Sequence, residues 1–450
     1  MKKNGFIMST YIYVLLVFFL LLLGTMLVVL NNTRLLANKI KENTDGNIDF
    51  NLILKGDKEI ILKKDSEYIE PGYIATTFDG KKLDVNVMGE VNVNKLGEYD
   101  IIYIAEYKGV EKKIRRKVIV AENLVTYITN LYKTNNILNN LKKDNTPDSN
   151  IRYYGSNPNN YVRFNNELWR IIGVFGNNVK LVRSESLGNL SWDSSESSVN
   201  DGWGVNQWGE STHEDGSYYE GADLQVYLNK MYYGGDTTIT CYGGINNKTT
   251  TCPTNTLDNT AKSLIDNHTW NTGAINQDDS TIVNLETFVL NTVPFYKAER
   301  GTINGKIYTS GDYCNDTVNR TTTWTGYIAL PYITDWAYAS SESVCETNMN
   351  AGYNATASSP EEAFANMTCK NNNWMHYGTT GIEDATWFMS PRANPGNARD
   401  AWSVHGDGGV FSGNVAYFSA VVPSIYLKSN VIIESGNGTS SNPYILRLGA

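Results

Sequence analysis

Few residues of this 450-residue chain could do covalent or metal chemistry: it has five Cys and four His. Cys241 and Cys252 enclose ten residues, Cys345 and Cys369 enclose 23, and Cys314 is left over. A zinc site would need Cys-x-x-Cys or His partners at ligand spacing, and neither occurs in the sequence. Local disulfides joining Cys241 to Cys252 and Cys345 to Cys369 fit an exterior, oxidising compartment, each worth about 3 kcal/mol in the chain-entropy model. Other pairings stay open, because spacing alone does not fix connectivity. Cys314 lies in Asp312-Tyr313-Cys314-Asn315-Asp316, where carboxylates raise a thiol's pKa. That disfavours a nucleophile served by His268, His376 or His405, so no catalytic residue is assigned.

Binding is the other chemistry to weigh. Asp407 lies in the turn-like run His405-Gly406-Asp407-Gly408-Gly409. It, or the loop from Asp193 to Asp201, offers the hard oxygens that calcium takes, and no other cofactor is expected. The sugar-binding motifs Glu-Pro-Asn and Trp-Asn-Asp of calcium lectins do not occur in the sequence. Trp203 and Trp208 sit in a Gly-, Ser- and Asp-rich segment that reads as surface loop, where indoles beside Asn, Gln and Asp suit sugar stacking. The competing reading folds both indoles back as core under the loop. Trp203, Trp208 and Asp407 are therefore the candidate ligand-binding residues, while Trp169, Trp324, Trp387 and Trp402 lie in strand-like runs and read as core.

These residues need elements to position them, and the chain divides unevenly. All ten Trp, all Cys and all His lie at or beyond position 169. Residues 123–450 carry 20 Lys+Arg against 31 Asp+Glu, whereas residues 1–122 carry 18 against 16. An acidic distal part without a basic cluster excludes nucleic acid as a partner. Tyr11 to Leu30 is an uninterrupted apolar run flanked by Lys3 and Arg34, and as a helix it would be about 30 Å long, enough to span a bilayer. It is expected to be a single-pass anchor after a short cytoplasmic end, residues 1–10, and before a juxtamembrane linker, residues 31–49, with the later domains outside. Residues 50–121 read as six or seven short alternating strands punctuated by Gly56-Asp57, Pro71-Gly72, Asp79-Gly80 and Lys108-Gly109, an all-β sandwich. Lys112 to Lys117 reads as a solvated strand face. Residues 122–150 read as a connecting helix and loop, and 151–450 as a large α+β domain. That domain opens with hairpins turning at Asn165-Asn166 and Gly176-Asn177-Asn178. Helices are expected over 223–231 and 261–265. Extended structure is expected over 295–308, 322–330, 387–392, 401–405, 415–418 and 424–428.

Three resemblances extend this reading. Glu67-Tyr68-Ile69-Glu70-Pro71-Gly72-Tyr73-Ile74-Ala75, Phe78-Asp79-Gly80 and Leu96-Gly97-Glu98-Tyr99 resemble the bacterial immunoglobulin-like modules of Gram-positive surface proteins, with Gly97-x-Tyr99 as a tyrosine corner. Tyr161 to Gly173, Trp324-Thr325-Gly326, Trp387 to Arg392 and Tyr426 to Val431 resemble an uncharacterised family of Gram-positive surface proteins, and the Gly-rich end resembles the C-type-lectin-like fold of formylglycine-generating enzymes. That enzyme fold works through a reactive cysteine pair, which cannot be placed here, and Val422 stands before Pro423 where relatives have Arg. Lys2-Lys3-Asn4-Gly5-Phe6 before an apolar helix resembles a type IV prepilin leader, with Thr10 where those leaders carry Glu. The expected function is cell-surface binding or adhesion with an extracellular glycan or protein as partner. The alternatives are a minor pilin-like tip subunit and an enzyme of the formylglycine-generating fold.

Overall fold

The computed structural model describes residues 19, 23, 25, 26, 49–194, 205–212, 218–303, 306–307, 321–377, 385–393 and 399–449. Within the apolar run, Phe19, Leu23, Thr25 and Met26 are helical, and the remainder lies outside the described residues. No helix among the described residues is long and apolar enough to cross a membrane. The chain forms two compact units, Met1–Val120 and Ala121–Ala450.

The first unit is built from β-strands. Asn51–Leu54 pairs antiparallel with Tyr73–Thr76, and Val85–Met88 with Gly97–Tyr107. Gly97–Tyr107 then pairs over 11 residues with Val110–Asn123, whose last three residues belong to the second unit. The turn between them uses Lys108 and Gly109 at φ 50° and 84°, the positive values that match the right-handed twist of a two-residue hairpin. Period-two alternation puts Ile101, Tyr103 and Ala105 on the buried face, where they meet Phe50, Leu52, Ala75 and Val118. Tyr99 donates its hydroxyl to the Lys95 carbonyl at 2.8 Å, the tyrosine-corner contact. Within the basic run, Lys112 pairs with Asp49, Arg115 with Asp100 at 3.2 Å and Lys117 with Glu98 at 2.5 Å. Arg116 alone turns inward, donating to the Lys55 and Gly72 carbonyls at 2.6 and 3.0 Å.

The second unit holds two larger sheets. In the first, Ile328–Ala329, Ser424–Tyr426, Asn178–Arg183, Glu167–Phe175, Tyr161–Phe164, Tyr444–Leu448 and Val431–Ser435 lie side by side. The hairpin joining Tyr161–Phe164 to Glu167–Phe175 turns on Asn165 and Asn166 at φ 55° and 56°, the left-handed pair that Asn tolerates. In the second sheet the order is Asn189–Ser191, Phe418–Ala420, Thr386–Ala393, Asp400–Val404, Val410–Asn414. The helix Leu124–Asn135 is N-capped by Asn123, which accepts from the Thr126 amide at 3.1 Å. Asp223–Val226 continues as a π-helix over Tyr227–Tyr233, and Asn259–Leu264 is capped by Asp258.

Two segments differ from the sequence expectation. Residues 295–299 belong to a helix, Thr292–Glu299, and extended pairing is confined to Thr302–Ile303 with Lys306–Ile307. Pro294 occupies the first turn, where its missing N–H costs nothing. Val415 to Tyr417 is a turn, fixed by the Asn414 side chain accepting from the Ala416 amide at 2.9 Å, and strand resumes at Phe418–Ala420.

Candidate functional site

A pocket of about 640 Å³ opens in the second unit, within the size range of ligand sites. Five rings line it: Phe288, Tyr353, Phe364, His405 and Phe411. They come from three places: the turn before the strand Val289–Leu290, the loop and short helix ending at Phe364, and the hairpin of Asp400–Val404 with Val410–Asn414. Their centroids lie close, with Phe364 to Phe411 at 4.4 Å, His405 to Phe411 at 4.7 Å, Tyr353 to Phe364 at 4.9 Å and Phe288 to Phe411 at 5.3 Å. Tilted and edge-on rings at these separations attract beyond their area burial.

The supports of the pocket are specific. The disulfide Cys345–Cys369 closes the segment that carries Tyr353 and Phe364. Asn350 stands in for a strand neighbour, its amide accepting from the Val410 N–H at 2.8 Å and donating to the Val410 carbonyl at 3.1 Å. The helix Pro360–Phe364 starts on Ser359, whose hydroxyl accepts from the Glu362 amide at 3.2 Å, with Pro at its first position. Phe288 holds φ 52°, a left-handed conformation that costs a bulky residue about 1–2 kcal/mol. Strain of this kind persists only where the surroundings impose it.

Asp407 lies beside the pocket without lining it. Its carboxylate accepts from the Gly409 amide at 2.8 Å and so closes the His405–Gly409 turn. Trp208 corrects the expectation of an exposed indole: it is 1% exposed, packed against Trp192 at 5.1 Å and Trp324 at 6.2 Å. Trp208 folds under, because the apolar indole gains more from these rings than from water. A sugar cannot stack on it there. Trp203, like Cys314, lies outside the described residues. Cys241 pairs with Cys252 and Cys345 with Cys369. His268 approaches Asp266 at 3.0 Å and stacks on Tyr426 at 3.7 Å.

Two buried charge clusters had no signal in the sequence beyond isolated ionisable residues. In the first, Asp335 binds Arg152 at 2.6 Å and Lys180 at 2.5 Å, and Arg152 also binds Asp144 at 2.6 Å. All four are buried. Burial would raise the Asp335 carboxyl, but Lys180 and Arg152 outweigh it and hold it down to about 2. Lys180 sits 4.1 Å from the Tyr332 ring, and burial brings it down to about 8. Nearby, Glu299 accepts from the Thr334 hydroxyl at 2.6 Å and the Ser390 hydroxyl at 3.1 Å, and burial pushes it up to about 7. Fixed pairing of this quality makes the cluster a scaffold joining the helix Ile333–Ala339 to the strands Ile151–Tyr153 and Asn178–Arg183. In the second cluster, burial and then repulsion from Asp193 push Asp223 up to about 8, while Asp193 accepts from the Val205 amide at 2.6 Å and the Tyr219 hydroxyl at 3.1 Å. Among the described residues no three His, Cys, Asp or Glu side chains gather as a metal site.

Residues 52–120 match the bacterial surface protein Ig-like domain family. This segment is similar to bacterial surface Ig-like domains. Among solved structures, the crystal structure of a lipoprotein from Bacteroides thetaiotaomicron is 36% identical over 17% of this chain and 39% of that chain, with a TM-score of 0.16. The match thus spans less than half the length of that lipoprotein. No curated protein matches the chain. The matching family is described from bacterial surface proteins, and the match is confined to residues 52–120.

Proposed function

We propose that the chain is an envelope-displayed binding or adhesion protein that recognises an extracellular glycan or protein through its second unit. In this reading Tyr11 to Leu30 forms the single-pass membrane anchor of a Gram-positive cell, and the Ig-like domain is a spacer. The 151–450 region is a C-type-lectin-like domain related in shape to formylglycine-generating enzymes. The supporting observation is the ring-lined pocket, since a concave site of about 640 Å³ with clustered aromatic walls is where a ligand gains most from leaving water. The Ig-like domain supports the display half, because modules of its family occur in surface proteins. Glycan and protein arrays probed with the purified full chain in detergent test the reading. Retention of a ligand by the chain is expected, and its release by a pocket-filling substitution. Binding that such a substitution leaves unchanged sinks the pocket's role.

A further inference from the structure

The aromatic walls say what kind of group the pocket accepts, and its polar atoms say what it refuses. Asn354 accepts from both the Thr356 amide at 3.1 Å and the Thr356 hydroxyl at 2.8 Å. The Ser359 hydroxyl is committed to its helix cap. The Asn354 carbonyl oxygen and the Ser359 hydroxyl thus hold the pocket's own backbone, and a ligand's hydroxyls have two acceptors fewer to meet among walls that are mostly apolar. A sugar ring carries a hydroxyl on most carbons, and each one buried without a partner costs about 1–3 kcal/mol. A volume of about 640 Å³ is also more than one side chain fills, so a short stretch of chain fits it better than a single ring.

Charge narrows the choice. The helix Pro360–Phe364, which ends in the pocket ring Phe364, carries Glu361 and Glu362 in its first turn. Both are exposed at their backbone positions, and a backbone N–H, followed by Ser359, holds the Glu361 carboxyl below its ordinary range, so it stays ionised. The Glu362 carboxylate accepts from the Ser358 amide at 2.9 Å, which holds a second acidic side chain on the same short helix. Residues 123–450 as a whole hold 31 acidic against 20 basic side chains. A cationic partner is attracted to such a surface and a polyanion is repelled.

We propose that the pocket seats an aromatic or large aliphatic side chain from a peptide segment of a protein partner, with Lys or Arg flanking that side chain, and does not seat a sugar. This rests on the surface-binding reading and chooses between its two ligand classes. Glu361 and Glu362 lie outside the lining, on the exposed side of the helix that contributes Pro360, Ala363 and Phe364, and there they attract the basic residues that flank the seated side chain.

The test uses the purified full chain in detergent and three fluorescein-labelled peptides read by anisotropy: Gly-Lys-Phe-Lys-Gly, Gly-Lys-Ala-Lys-Gly and Gly-Glu-Phe-Glu-Gly. The first is expected to bind at least tenfold tighter than either of the others. Ala355 and Ser358 line the pocket from an exposed loop, so A355W and S358W should each weaken that binding at least tenfold while circular dichroism and thermal unfolding stay unchanged. E361K should narrow the preference for the basic peptide over the acidic one. Equal affinity for the three peptides overturns the proposal, as does insensitivity to both tryptophan variants. A glycan that binds and is displaced by A355W, with no peptide bound, overturns it and leaves the surface-binding reading standing. Absence of both peptide and glycan binding overturns the two together.

Discussion

The two units bury charge in opposite ways. In the Ig-like domain the pairs Lys112 with Asp49, Arg115 with Asp100 and Lys117 with Glu98 lie at the surface, and Arg116 is the cation drawn inward. In the second unit Asp144, Arg152, Lys180, Asp335 and Glu299 are all buried. A small sandwich stabilises itself mainly by alternation of apolar residues, and its one buried cation, Arg116, meets backbone carbonyls and the partly exposed Glu70. The larger unit packs short elements whose polar ends fall inside, and ions there fix which element meets which. A buried ionic hub is thus a device of registry more than of net stability.

Breaking the comparison at its strongest point means removing Asp335. Asp335→Ala strands Lys180 and leaves Arg152 with Asp144 alone, and should cost about 3–5 kcal/mol, whereas Asp100→Ala should cost under about 1 kcal/mol. All ten Trp lie at or beyond position 169, so tryptophan fluorescence during urea unfolding reads the second unit alone, and hydrogen exchange at Ile101 and Tyr103 reads the Ig-like domain. Similar losses for the two variants would erase the distinction. Reduction comes next: removing either disulfide should lower the fluorescence-detected stability by about 2–4 kcal/mol and leave exchange in the cysteine-free Ig-like domain unchanged.

Acidity should act on the units in opposite directions. Glu299 has a folded pKa raised from 4.5 to about 7, so it favours folding fully below pH 4.5 and that contribution is lost as pH rises to about 7. In the Ig-like domain burial would raise Glu70, but the nearby Tyr103 hydroxyl and hydrogen bonds from Tyr68 and the Gly72 amide outweigh it and lower its pKa. Its contribution is present above the unfolded value and fades as pH falls through the lower, folded one. Unfolding midpoints across pH 4 to 8 should show the second unit weakening as pH rises, and Glu299→Gln should flatten that slope. A slope unaltered by the substitution would assign it elsewhere. A small effect is also expected of Tyr99→Phe, which removes one hydrogen bond and should cost about 1 kcal/mol in the Ig-like domain only.

What the sequence made legible was local. Asn165-Asn166 announces its hairpin because few residues tolerate two successive left-handed conformations, and the alternation through Ile101, Tyr103 and Ala105 announces a half-buried strand. The helix Thr292–Glu299 was hidden because Thr, Val, Phe and Tyr carry strand preference, while Phe295 and Tyr296 are claimed by tertiary packing. Trp208 stayed open between surface and core because a Gly-rich run says nothing about which rings lie beneath it, and the structure takes the core reading. The pocket was invisible for a related reason: Phe288, Tyr353 and Phe411 are far apart in sequence, and only the finished fold gathers them. Asp407 came near it only because turn chemistry marks hairpin ends, and hairpin ends border clefts.

The bridge between Cys345 and Cys369 has a consequence for survival outside a cell. The loop it encloses holds the exposed residues Ala355, Thr356 and Ser358, the kind of segment an external protease cuts first. After such a cut, Tyr353 and Phe364 belong to different fragments, yet both fragments stay covalently joined, and the Asn354 amide still donates to the Ala363 carbonyl at 2.9 Å across the break. A nicked molecule would run as a single species until reduced and would keep its ring-lined cleft, so wear at this loop need not end recognition.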